Sequence, residues 1–102
     1  MVDIKKWQQF SLTQQMANIG SEVSRMIAAK ERGDALNLQQ STERALEILD
    51  LTINSNQKKS CFRELLRLRD VLADYGFNLF NFVVDKRDLN EYFLPFALLS
   101  RR

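Results

Sequence analysis

In SCFRELLRLRDVLADYG, residues 60–76, apolar side chains recur at three- and four-residue steps: Phe62, Leu65, Leu66, Leu68, Leu72 and Tyr75. At about 100° per residue this spacing lays one apolar face along an α-helix. Ser60 stands where an N-cap would accept an orphan N–H, and Gly76 where a left-handed C′ residue would close the helix. Arg69 falls within the apolar face. A guanidinium there needs acceptors, because an unpaired buried charge is strongly destabilising. By helical facing, Asp50 and Glu22 are the expected partners, in a buried ion pair that fixes helix register. The competing reading has Arg69 lining a pocket or touching a phosphate.

Two helices are expected before this one. Ser11-Leu-Thr-Gln14 has the spacing of a capping box. Leu12, Met16, Ile19, Val23 and Met26 then form a narrow seam, and Gly20 beside it suggests a close helix–helix approach. That helix is expected to run from Leu12 to about Arg32 and stop near Gly33. The next spans about Ala35 to Thr52 or Ile53, with Leu38, Thr42, Ala45, Leu46, Leu49 and Ile53 on one face. NSNQKKS, residues 54–60, is a polar turn, and helices joined by so short a link are usually antiparallel neighbours. Residues 1–10 read as a polar lead-in whose Trp7 and Phe10 pack back onto the bundle. After Gly76, FNLFNFVV is expected to be a packed loop or short helix. DKRDLNEY opens a last amphipathic helix in which Pro95 either kinks the helix or delays its start.

Composition narrows the class. The 102 residues suit one domain, and 45% hydrophobic with 27% charged is an ordinary globular balance. Three glycines and one proline are too few for the turns of an all-β fold. The expected architecture is therefore all-α, an antiparallel four-helix bundle with short connections forming a single domain. No apolar run approaches the roughly 20 residues of a membrane span, and the first ten residues lack a signal-peptide core. The lone cysteine, Cys61, excludes an intrachain disulfide and a cysteine-rich zinc site. Together these point to a cytoplasmic protein, with no membrane partner, cofactor or metal expected. The chain has no histidine, which removes Ser–His and Cys–His catalysis, imidazole metal sites and histidine acid–base work. A non-enzymatic role is expected.

Two surfaces carry functional readings. Lys58, Lys59, Arg63 and Arg67 form a basic stripe on the polar side of the third helix, suited to a nucleic-acid backbone. Asp70 and Asp74 continue the stripe and offset it, so a solvated face is the competing account; Arg101 and Arg102 extend it only if the fold brings them near. The aromatics Phe77, Phe80, Phe82, Tyr92, Phe93 and Phe96 exceed what the end of a small bundle readily buries. They read either as core and end-capping or as a self-association surface joining a homodimer.

At RLRDVLADY, residues 67–75, the chain resembles the HEPN superfamily of small helical-bundle proteins. Members commonly carry an arginine followed on the same helix by a histidine and then a tyrosine. The resemblance implies that Arg69 takes the arginine position and Tyr75, about one residue out of step, the tyrosine; Asp74 stands near the histidine position. It supports a helical bundle and an RNA connection, while the RNA cleavage of active members does not carry over without the histidine. The architecture is also similar to the four-helix proteins encoded within ribosomal-RNA intervening sequences. These, like the related accessory proteins of diversity-generating retroelements, bind nucleic acid as oligomers.

Overall fold

A computed structural model describes residues 4–101 of the protein; Arg102 lies outside them. The described residues form five helices and no strand: α1 (Ile4–Gln9), α2 (Leu12–Glu31), α3 (Ala35–Ser55), α4 (Phe62–Phe77) and α5 (Lys86–Ser100). The all-α expectation holds, with one helix more than anticipated. Residues 4–9, expected to be a lead-in, form the short α1.

Local chemistry sets the boundaries of α2 and α3. At the start of α2 the Ser11 Oγ accepts from the Gln14 N–H at 3.1 Å, and the Gln14 Oε1 accepts from the Ser11 N–H at 2.9 Å. This reciprocal pair satisfies two of the free ends that every helix leaves. After Glu31 the chain turns through Gly33 at φ +70°, while the Asp34 N–H reaches back to the Ala29 carbonyl at 2.9 Å. A side chain would strain that left-handed step, which is why glycine stands there. Asp34 then caps α3, accepting from the Asn37 N–H.

Two cap assignments are corrected. Ser60 does not cap α4; the N-cap position belongs to Cys61, which makes no side-chain cap bond. Gly76 is not the C′ residue but lies inside α4, buried against α3. The left-handed terminator is Asn78, at φ 56° and ψ 49°, a conformation that asparagine tolerates better than most residues. Helix α5 starts at Lys86 on an Asp85 cap and contains Pro95. The missing N–H at Pro95 frees the Glu91 carbonyl; both residues are exposed, so water is at hand to take it.

Helix α2 packs on α3 and on α5, and α3 packs in turn on α4. Because α3 lies between two neighbours, its buried face is wide, from Leu38 through Ser41, Thr42, Ala45, Leu46, Ile48, Leu49 and Thr52 to Ile53. All five helices feed one apolar core, in which Ile19, Met26, Ala45, Leu49 and Leu72 are fully enclosed. Helix α1 is pinned by a buried polar chain. The Trp7 Nε1 donates to the Thr52 Oγ1 at 3.1 Å, and Gln15 donates to the Trp7 carbonyl at 2.9 Å. Asn56 donates to the Thr52 carbonyl at 2.7 Å and to the Gln15 side chain at 3.3 Å. Satisfied networks of this kind fix a single arrangement, because breaking one member strands the others. Gly20 permits the close approach expected of it: a β-carbon there would sit 3.0 Å from Phe93 of α5. Helices α4 and α5 do not pack as a close pair and face one another across a groove.

Candidate functional site

The segment between α4 and α5 is where the chain departs most from burying its apolar residues. Leu79 and Phe82 are about half exposed, Phe80 is 85% exposed and Val83 fully so. Such a segment would be expected to collapse unless something holds it out, and Asp74 does. Although on the side of α4 away from α3, Asp74 is only 4% exposed, because the following loop folds over it. Its carboxylate accepts from the Asn81 N–H at 2.7 Å and the Phe82 N–H at 3.3 Å, while its carbonyl accepts from Asn78 and Leu79. Phe80 takes φ +61°, a left-handed conformation costing about 1–2 kcal/mol for a bulky residue. Residues 78–84 thus form a tethered knuckle, with Val84 tucked against the core and Phe80 and Val83 pointing to solvent.

Beside the knuckle lies the groove, about 410 Å³, with Leu68, Val71, Leu89 and Tyr92 as apolar floor and Glu64, Arg67 and Asp88 at its edges. Burial, reinforced by the neighbouring Glu64 carboxylate, pushes the Tyr92 phenol up to about 12. On the other side of the knuckle the Lys30 ammonium donates to the Tyr75 carbonyl at 2.7 Å and stands 3.9 Å over the Tyr75 ring. A cation near the last carbonyls of α4 is electrostatically favourable, and the ring face adds to it.

The expected self-association residues divide. Phe77, Phe80 and Phe82 are exposed, Tyr92 and Phe96 are half-buried, and Phe93 is buried. Phe93 is therefore core, corrected from surface, because Gly20 opens a socket for it on α2. Leu79 and Val83, missed by a reading that counted only aromatics, join the exposed set. Asp74, expected to continue the basic stripe and offset it, is instead buried beneath the loop. A carboxylate in the last turn of a helix opposes the helix dipole. That mismatch signals a second role, here the loop tether.

Arg69 and Asp50 do meet, with the Arg69 Nε donating to the Asp50 Oδ1 at 2.6 Å and a second contact at 3.4 Å. The pair is not buried: 41% of the arginine side chain and 47% of the aspartate side chain remain exposed. The buried face of α4 runs through Leu65, Leu68, Leu72 and Tyr75, leaving Leu66 outside and Arg69 at the rim. Hydrogen bonding to Asp50 raises the Arg69 pKa further. Glu22 is not a partner of Arg69; it pairs with Arg25 and, at 3.0 Å, with Arg44 of α3. Of the three positions in the HEPN-like pattern, Arg69 is thus engaged by Asp50, Asp74 by the loop, and Tyr75 is buried under Lys30.

Lys58, Lys59, Arg63 and Arg67 are all exposed, and among the described residues none of the four is in an ion pair. Among the described residues no group of three or more Cys, Asp or Glu could hold a metal ion, and no helix is long and apolar enough to cross a membrane. No family model, no curated protein and no solved structure matches the chain.

Proposed function

We propose that the protein is a non-enzymatic helical interaction module of the cytoplasm that self-associates as a homodimer through the knuckle at residues 78–84. The main frame is read as a single-domain antiparallel bundle of α2–α5, a reading supported by the short links at 32–34 and 56–61. The observation that carries the function is the Asp74 tether. A carboxylate spent on holding Phe80 in a strained conformation, 85% exposed, is hard to explain by the stability of the monomer. Apolar side chains presented on a fixed backbone lose little entropy on association.

Light scattering at two concentrations tests this reading. The wild-type chain should gain mass with concentration, and Phe80→Ser with Val83→Ser should lower that gain. A strictly monomeric wild type at high concentration would overturn the proposal.

A second reading is RNA binding by the basic stripe, favoured by the absence of ion pairs at Lys58, Lys59, Arg63 and Arg67. It requires affinity that falls steeply with salt and weakens in Arg63→Ala/Arg67→Ala. Binding indifferent to those changes would reduce the stripe to a solvated face.

A further inference from the structure

Helix α5 carries a second unpartnered face, on the flank away from the knuckle. Leu94 and Leu98 are each 54% exposed on this flank, a helical turn apart. Leu94 borders a cleft of about 450 Å³ between α5 and α2, whose α2 wall is Ala17, Gly20, Ser21, Val23 and Ser24, all but the valine small. Glu91 lies one turn before Leu94 and Arg101 about one turn after Leu98. Among the described residues neither is in an ion pair. Arg101 keeps helical backbone, at φ −86° and ψ −5°, so the four residues share one stripe.

The order of that stripe is self-complementary. Leu94 and Leu98 lie two residues either side of Phe96, and Glu91 and Arg101 five either side. A two-fold axis passing beside residue 96 therefore brings an antiparallel copy of α5 into a specific register. Leu94 of each chain meets Leu98 of the other, and Glu91 of each faces Arg101 of the other. A parallel copy would instead set like charges together. Two-fold contacts between identical chains require this matching of a surface to itself.

From this charge complementarity we infer that the outer face of α5 is a contact for a second copy of the same chain, antiparallel and centred on residue 96. The small side chains of α2 leave room for the partner's leucines in the cleft. The contact is separate from the knuckle and does not depend on it: the groove beside the knuckle opens on the Asp88–Tyr92 flank of α5 and the cleft on the Leu94–Ala97 flank, with Leu89 between them lining both. A patch built on two leucines per chain is small, so the association should be reversible.

The test uses the full chain carrying Phe80→Ser with Val83→Ser, which silences the knuckle, and sedimentation velocity over a range of concentrations. The parent should associate. Glu91→Arg alone places arginine against arginine, and Arg101→Glu alone places glutamate against glutamate, so each should weaken association by about tenfold or more. Mixing the two variants in equal amounts restores both opposite-charge contacts and should restore association as a heterodimer. Circular dichroism of each variant separates this from misfolding, which mixing would not cure. The inference is overturned if the chain with the silenced knuckle is strictly monomeric, if the single reversals leave association unchanged, or if the mixture stays apart.

Discussion

Gly76 of α4 lies so close to Thr42 of α3 that a β-carbon on Gly76 would stand 2.1 Å from the Thr42 Oγ1 and 2.7 Å from its Cβ. The threonine is fully buried and its hydroxyl is already committed to the Leu38 carbonyl at 2.7 Å, so it has little freedom to turn away. Gly76→Ala should therefore destabilise the protein by about 1–3 kcal/mol, despite the better helix propensity of alanine. Urea unfolding measures it. Thr42→Ala should recover part of the loss when combined with Gly76→Ala, a coupling that a double-mutant cycle reads directly. Additive losses would mean the two helices separate freely.

Asp74→Ala should release the knuckle. Removing an acceptor shared by two backbone N–H groups should cost about 1–3 kcal/mol. The effect should also be local, with hydrogen exchange accelerating at Asn81 and Phe82 far more than in α2 or α3. Self-association should weaken as Phe80 loses its fixed position. Unchanged exchange at residues 81 and 82 would show that the loop stands without its tether.

For Arg69 and Asp50, exposure decides the outcome. A dry pair would make Asp50→Ala far worse than Arg69→Met, since it would strand the guanidinium. With both side chains more than two-fifths exposed, water takes over either partner's solvation. Each substitution should cost no more than about 1 kcal/mol, and salt should shrink the difference. A loss of several kcal/mol confined to Asp50→Ala would place the pair in a dry setting after all.

Tyr92 sets an alkaline limit. Burial raises its phenol from the ordinary 10.0 to about 12. The unfolded chain therefore releases this proton first, and the folded state binds more protons between those values. The stabilisation is complete below about pH 10 and is lost as pH rises towards 12. Burial raises Tyr75 as well. Ultraviolet difference titration should show less tyrosinate at pH 10 than free phenols, which are half ionised there. Tyr92→Phe should flatten the alkaline fall in stability; an unaltered profile would remove Tyr92 as its cause.

Much of the frame was legible because it rests on local chemistry. The Ser11–Gln14 box, the Gly33 turn and the seam from Leu12 to Met26 are periodicities and caps acting within one or two helical turns. Gly20 was readable too, since a glycine on an apolar seam has few purposes other than close approach. Trp7 was expected to pack, but not to fold residues 4–9 into α1, because that depends on Thr52 and Gln15, respectively forty-five and eight residues away.

The candidate site was legible in kind but not in detail. An excess of aromatics after α4 could be counted, yet which of them face water depends on neighbours distant in sequence. Phe93 is buried because Gly20 admits it; Phe80 is exposed because Asp74 holds the backbone around it. Arg69 stands three or four residues from Leu65 and Leu72 and looked central by periodicity, but Asp50 of α3 meets it at the rim of the contact, where 41% of its side chain stays exposed.

Helix number apart from α1, the polar turns and the identity of most core residues follow from the order of amino acids, because hydrogen-bonded caps and 3.6-residue periodicity act over short stretches of chain. The exposure of Arg69 and the burial of Asp74, Gly76 and Phe93 do not. Those depend on the angle at which one helix lies against another, set by the packing of the whole core rather than by any single segment.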